Sequence, residues 1–165
     1  MYNFADLPWG VPHAEVEAQL TARGFELDEV DERGTARFTG RLFNEEAVVF
    51  AAFGQRGLSK INLILLTPDH RARDAYASMQ QFLTRKYGPP HKVYEVFQEP
   101  YFDGDGYEET AISVGKATFS TFWPRPNGAA LYVEITEELT VSISYESPDW
   151  AADFERRQAA EMDIL

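Results

Sequence analysis

Four carboxylates lie close together between residues 103 and 109, in the segment Asp-Gly-Asp-Gly-Tyr-Glu-Glu. Closely spaced carboxylates with intervening glycines are able to wrap around a calcium ion, which prefers oxygen ligands. The spacing departs from that of an EF-hand loop, because no third ligand stands at the fifth position and no glutamate at the twelfth. A solvated hairpin loop is therefore favoured, and Asp103, Asp105 and Glu108 are the candidate metal ligands.

The histidines and serines do not form a recognisable catalytic arrangement. His13, His70 and His91 lack the short spacing of a zinc-binding pair, so each is interpreted as a surface residue. None of the serines stands in the context of a nucleophile elbow. The glycine-containing segment 54–57 is too short for a phosphate-binding loop. The sequence therefore predicts no catalytic residue and no cofactor.

Aromatic residues are the most suggestive feature for function, with 12 Phe, 8 Tyr and 3 Trp in the chain. Six of them are expected in a loop or on strand faces turned away from the core: Tyr94, Tyr101, Phe102, Tyr107, Phe122 and Tyr132. Tyrosine and tryptophan are preferred anchors at protein interfaces. An open sheet face that carries them, with acids at its rim, would suit a basic protein partner. The alternative is that a helix, or the second copy in a homodimer, covers these side chains.

The composition limits the classes of partner. The chain has 165 residues, of which 44% are apolar, and its formal net charge is -12. Such a length suits one domain with a substantial core. The negative charge opposes binding to nucleic acid and to anionic membranes. A basic protein is a more natural partner, although the charge can also serve solubility alone.

The sequence also suggests a cellular location. It contains no cysteine, which excludes disulfides and cysteine-based metal sites. Its first residues include neither a basic segment nor an apolar run, so no signal peptide is predicted. The longest apolar run is too short to span a bilayer. We accordingly expect a cytoplasmic protein.

The predicted order of elements is helix, three strands, helix, four strands, helix. Helices are predicted at 12–23, 67–88 and 147–162, and strands at 35–42, 47–53, 58–66, 93–97, 111–123, 131–135 and 139–145. The segments 26–34 and 99–110 are interpreted as loops. Short turns between consecutive strands predict an antiparallel sheet. The fold class is therefore α+β, with helix-and-meander units in tandem, helices on one sheet face and the other face at least partly open.

The same order of elements predicts the domain organisation. We expect a single domain over residues 1–165, built from structurally similar halves at about 1–67 and 68–146. A C-terminal helix at about 148–163 follows the second half, with Trp150 and Phe154 on one face.

A short motif opens the first helix. Trp9-Gly10 is followed by Glu15-Val16, and Gly24 closes the segment. This motif resembles the Trp-Gly-x-Ser-x-x-Glu-Val opening of small bacterial α/β domains akin to the beta-lactamase-inhibitory-protein and SmpA/OmlA-like groups. The later segments 48–58, 76–89 and 141–145 resemble the apolar hairpin, the second helix and the closing strand of those proteins. Pro12 departs from the motif, because it replaces the usual capping Ser or Thr.

The resemblance implies an α+β fold and a role in binding other proteins. Many proteins of this group are exported or lipid-anchored, whereas this sequence shows neither a signal nor a lipid-acceptor cysteine. The order of elements is also similar to that of small acidic type III secretion chaperones, but no motif supports that likeness, and a shared fold alone does not carry function.

Three functional hypotheses follow from the sequence. The first is a non-catalytic protein-binding module, such as an inhibitor, an immunity protein or a chaperone. The second is a small hydrolase-like enzyme or metal-binding domain that uses the acidic 103–109 loop together with a histidine. The third is a structural domain that forms oligomers through its sheet face. A deep pocket in which a carboxylate and a histidine converge would favour the second hypothesis over the first.

Overall fold

The computed structural model describes residues 2–165, which form four α-helices and eight β-strands. The helices are α1 (His13–Ala22), α2 (Ala72–Tyr87), α3 (Glu108–Ser113) and α4 (Trp150–Met162). The strands are β1 (Glu26–Val30), β2 (Ala36–Leu42), β3 (Glu45–Gly54), β4 (Gly57–Leu66), β5 (Lys92–Phe97), β6 (Ala117–Phe122), β7 (Ala130–Ile135) and β8 (Val141–Glu146). No helix within residues 2–165 is long and apolar enough to cross a membrane.

All eight strands belong to one antiparallel sheet, in the order β1-β2-β3-β4-β8-β7-β6-β5. The first four strands fill one half of the sheet and the last four fill the other half. The two halves meet where β4 pairs with β8, and β1 and β5 are the two edges. The predicted α+β class and the predicted antiparallel sheet are confirmed.

The core lies between one face of this sheet and the helices α1, α2 and α3. Leu20, Tyr76 and Ile112 bring one side chain from each helix into the same buried cluster. In the middle of the sheet, Leu63 of β4 lies opposite Ile143 of β8, and both are buried. Burial of each such aliphatic side chain contributes about 1.5–3 kcal/mol. The apolar contacts thus join the two halves of the sheet under a common layer of helices.

Helix α2 follows the periodicity that its sequence predicts. Ala72, Tyr76, Met79 and Leu83 are spaced by four, three and four residues, and all four are buried. The helix stops at Gly88, whose φ of 93° is accessible to glycine at little cost. Its N-terminal segment differs from the prediction, because Asp69–Arg71 forms a 3-10 turn before the α-helix begins.

Strand β1 was predicted as a loop, and this prediction is wrong. The segment 26–34 carries five acids, which suggested a solvated connection. The structure instead pairs Glu26–Val30 with β2 at one edge of the sheet, and all five residues of this strand are exposed. An edge strand without a buried face needs no apolar alternation, and so it lacks the pattern by which strands are recognised.

The long strand predicted at 111–123 is also wrong in its first half. Residues 108–113 form α3, and the strand β6 begins only at Ala117. The short helix α3 buries Ala111 and Ile112. Gly115 follows it with a φ of 76°, a backbone conformation that glycine adopts at little cost. The loop predicted at 99–110 is correspondingly shorter, since its last residues belong to α3.

Helix α4 docks at the end of the sheet, against the turn between β3 and β4. The carboxylate of Asp153 is buried beside Gly54 and is paired with Arg156. Arg157 donates a hydrogen bond to the carbonyl oxygen of Phe53 at 2.8 Å. Phe154, which was predicted to share the packed face with Trp150, is 50% exposed. Polar contacts around Gly54 hold the helix in place together with Trp150, whose ring centroid lies 4.9 Å from Nζ of Lys60.

We predict that Gly54→Ala displaces α4. A Cβ atom at position 54 would lie 1.8 Å from Oδ2 of Asp153, which leaves no room for a methyl group. Limited proteolysis should cut the variant after residue 147 faster than the wild-type chain. The double variant Gly54→Ala/Asp153→Ala is the control, because it removes the clashing carboxylate. Equal cleavage of wild type and Gly54→Ala would contradict this account of the docking.

Candidate functional site

The sheet face opposite α1, α2 and α3 is called the open face. Its side chains alternate along each strand with those of the core. Where the two halves meet, Lys60, Asn62 and Ile64 of β4 lie opposite Glu146, Ser144 and Ser142 of β8. None of these residues belongs to the buried apolar cluster under the helices. The open face is therefore a mixed polar and aromatic surface.

Three aromatic rings lie together on the open face and form what we call the aromatic cluster. The ring of Phe122 is stacked on that of Tyr132, with 5.3 Å between centroids, and meets that of Tyr94 edge-on at 6.0 Å. The strand register explains this arrangement, since Phe122 lies directly opposite Tyr132 on the neighbouring strand. Tyr94 is 41% exposed, and the other two rings are half-buried. Part of each ring is thus available to a partner.

A charged network holds the ring of Tyr132 in place. The Tyr132 hydroxyl donates to Oε2 of Glu146 at 2.9 Å, and Nζ of Lys60 lies 3.1 Å from the same oxygen. The side chain of Glu146 is only 12% exposed, and these two partners replace contacts with water that its buried carboxylate lacks. Burial, as the main cause, raises the pKa of the Tyr132 phenol, which therefore stays neutral and keeps its proton to donate at pH 7.

Short polar side chains form the floor beside the aromatic cluster. Nδ2 of Asn62 donates to the hydroxyl oxygens of Ser142 and Ser144, at 2.8 and 3.0 Å. These bonds cross from β4 to β8 and satisfy polar groups that the sheet has largely buried. These hydrogen bonds fix the positions of open-face side chains on β4 and β8, the two strands at which the halves of the sheet meet.

The six aromatic residues predicted to form one surface fall into two groups. Tyr94, Phe122 and Tyr132 lie on the open face, whereas Tyr101, Phe102 and Tyr107 lie in the loop before α3. Asp103 of that loop is 3.3 Å from Arg73 of α2, whose guanidinium lies 5.0 Å from the centroid of the buried ring of Phe119. The loop is therefore on the helix side of the sheet, and the structure divides the six residues between the two sides.

The acids of this loop hold its backbone together. Asp105 accepts hydrogen bonds from the backbone N–H of Phe102 and of Tyr107, at 3.1 and 2.8 Å. Glu108 accepts one from the N–H of Gly104 at 3.1 Å. Among residues 2–165, no three His, Asp or Glu side chains lie close enough together to hold a metal ion. The candidate ligands Asp103, Asp105 and Glu108 thus serve turns and an ion pair in this structure.

An open cleft of about 480 Å³ lies between α2, α3 and the edge strand β5. Its polar lining consists of His70, Arg73, Asp74, Glu95, Glu108 and Glu109. Within residues 2–165, the one close histidine–carboxylate contact is that of Nδ1 of His13 with Oε2 of Glu17, 3.8 Å apart on α1 and outside this cleft. The cleft brings His70 into one lining with Glu108 and Glu109, the last two acids of the 103–109 segment, and its carboxylates outnumber its one guanidinium.

The comparisons with known proteins give no relative. No family model matches the chain, and no curated protein or solved structure matches it either. The resemblance of the Trp9-Gly10 motif to the beta-lactamase-inhibitory-protein and SmpA/OmlA-like groups remains a prediction.

Sequence reasoning missed the residues that position the aromatic cluster. Lys60 and Glu146 are 86 positions apart, and only the pairing of β4 with β8 brings them together. Their one signal in the sequence is that each is a charged residue in a strand where polar and apolar residues alternate. The pattern within either strand does not reveal which distant strand supplies the opposite charge.

Glu134 gives a prediction about pH. It lies on the open face between Ser120 and Ser142, and burial raises the pKa of its carboxyl group, although Lys60 acts in the opposite direction. The folded chain therefore binds this proton more tightly than the unfolded chain, and stability is lost as pH rises from the ordinary carboxyl pKa through the raised one. We expect Glu134→Gln to melt at a higher temperature than wild type at pH 7.

Melting curves across the acid range check this expectation. The difference between Glu134→Gln and wild type should shrink as the pH falls below the ordinary carboxyl pKa. Glu138→Gln is the control, because that side chain is exposed in the turn between β7 and β8. A pH-independent difference at position 134 would contradict the assigned cause.

Proposed function

We propose that this chain is a non-catalytic module that binds another protein through its open face. The observation that carries the proposal is the aromatic cluster of Tyr94, Phe122 and Tyr132, which stands on a sheet face that α1, α2 and α3 leave uncovered. Tyrosine and phenylalanine side chains supply a large contact area at low conformational cost. They are the kind of residue that anchors protein interfaces.

The rigidity of the cluster supports the same proposal. Tyr132 is held by Glu146, and Glu146 is neutralised by Lys60. A partner that binds to rings already fixed in place has less side-chain entropy to remove, so more of the contact energy appears as affinity. The Asn62 hydrogen bonds fix the adjacent floor in the same way.

The charge of the chain favours a basic protein as this partner. With a net charge of -12, the chain attracts cationic surfaces and repels nucleic acid and anionic membranes. It also repels a second copy of itself, which disfavours a homodimer. The cysteine-free sequence is compatible with a reducing compartment, and we propose the cytoplasm as the location.

The motif at the first helix supports a binding role independently of the sheet. Together, Trp9-Gly10 and Glu15-Val16 resemble the opening motif of a group of proteins that mostly bind other proteins. In this structure Val16 is buried on the core-facing side of α1 and Trp9 packs against the core, so both residues act in packing and leave the binding surface to the sheet.

Affinity capture from the source cells, followed by mass spectrometry, tests the proposal when variants are compared. Phe122→Ala and Tyr132→Ala should each weaken the captured complex by about tenfold or more, because truncating a central aromatic anchor costs upwards of 1.4 kcal/mol. Tyr107→Ala is the matched control, since it removes a tyrosine that is 62% exposed on the helix side.

Folding of every variant is checked by circular dichroism before capture. If Tyr107→Ala released the partner while Phe122→Ala and Tyr132→Ala retained it, binding would belong to the loop and the proposed face would be wrong. Retention by all three variants would likewise reject the open face as the contact surface.

A further inference from the structure

The two edges of the sheet differ in their protection against pairing with another chain. β1 carries three acids among its five residues, and its register with β2 is interrupted between Leu27 and Glu29. β5 has four apolar residues among six, Val93, Tyr94, Val96 and Phe97, and its register with β6 is continuous. Charges and irregularities on an edge strand prevent strand addition, and β5 has few of either.

The free side of β5 presents unpaired backbone groups. The N–H of Gln98 bonds to the carbonyl of Lys116, and the register of β5 with β6 continues from this pair. In an antiparallel ladder the N–H and C=O groups of one strand point alternately toward and away from the neighbour. Those of Val93 and Glu95 therefore point outward, where another strand would bond to them.

The two sides of this edge differ in chemistry. On the helix side lies the cleft in which four carboxylates, those of Asp74, Glu95, Glu108 and Glu109, outnumber the one guanidinium of Arg73. On the open-face side lie Tyr94 and Phe122 of the aromatic cluster, which also line a smaller cleft of about 250 Å³ at the start of β5, together with Lys92 and Arg125. Because side chains alternate along a strand, a segment paired with β5 would place every second side chain beside the acids and the others beside the aromatic cluster.

We propose that β5 accepts an extended segment of the partner protein as an additional strand. The segment carries Lys or Arg at the positions that face the acidic cleft, and apolar or aromatic residues at the positions that face Tyr94. This inference rests on the proposed function and deepens it, since it names the backbone contact and the side-chain pattern by which the partner is recognised.

A second copy of this chain fits the edge poorly. In an antiparallel pairing of two β5 strands, the copy would turn its own Val93, Glu95 and Phe97 toward the cleft, because both strands then share the same faces. That arrangement adds a carboxylate to an already acidic site and supplies no positive charge. The occupant that matches the charges is a basic segment of another protein.

Synthetic peptides provide the test, with fluorescence anisotropy as the readout on the full chain. The first peptide alternates Lys and Val; the second has Glu in place of Lys; the third repeats the first with N-methyl groups on the amides that would bond to β5. We expect the Lys-Val peptide to bind, and the Glu-Val and N-methylated peptides to bind at least about tenfold more weakly.

Two proline variants locate the binding. Val93→Pro removes an outward N–H of β5, and Val30→Pro removes one from β1, where the inward N–H belongs to Asp31. The two valines are matched, since each is 46% exposed on an edge strand. Val93→Pro should weaken binding of the Lys-Val peptide by about tenfold or more, and Val30→Pro should leave it unchanged.

Several results would overturn the inference. These are equal binding of the Lys-Val and Glu-Val peptides, undiminished binding by Val93→Pro, or a dimer of the wild-type chain that Val93→Pro abolishes. If Val93→Pro does not fold, the N-methylated peptide still tests the backbone contact, because it removes the hydrogen-bond donors from the peptide and leaves the chain unchanged.

The captured complex separates this inference from the proposed function. A partner that requires Tyr132 but not Val93 rejects strand addition and leaves the open face in place. A partner that requires Val93 but not Tyr132 supports strand addition and rejects the open face as the contact surface.

Discussion

The pairing of β4 with β8 is the contact on which the rest of the molecule depends. Within residues 2–165 it is the one pair of strands that joins the two halves of the sheet, and it buries Leu63 against Ile143 on the helix side. On the open side it brings Lys60 to Glu146 and Asn62 to the serines of β8. One register therefore determines both the core and the polar framework of the open face. A shift by one residue would exchange the two sets of side chains.

This register links stability to the proposed binding surface. Glu146 is nearly buried, and it remains tolerable as a charge because Lys60 arrives from the other half of the sheet. The same carboxylate accepts a hydrogen bond from the Tyr132 hydroxyl, and the ring of Tyr132 is stacked on that of Phe122. The aromatic cluster is thus positioned by a residue of the first half, although all of its own members come from the second half. The free edge of β5 lies next to this cluster, so one partner is able to engage both.

Local patterns predicted the parts of the fold that local interactions determine. The stripe of α2 was readable because its buried residues recur every three or four positions. Strand β1 was not readable in this way, because an exposed edge strand bears no apolar alternation. Helix α3 was not readable either, because two adjacent buried residues in a short helix resemble a strand. The division of the six candidate aromatic residues between the two sides of the sheet was not readable for a related reason. The side of the sheet on which the 103–109 loop lies is decided by its contact with Arg73, a residue far away in the chain.

The central claim is that a protein partner binds to the open face around Tyr94, Phe122 and Tyr132. Amide hydrogen exchange of the chain, measured free and in complex with the captured partner, tests this claim most directly. The account predicts slower exchange in Lys92–Phe97, Ala117–Phe122 and Ala130–Ile135 on binding, with α1 and β1 unchanged. Slower exchange confined to α1, α2 or the 103–109 loop, with these three strands unaffected, would contradict it.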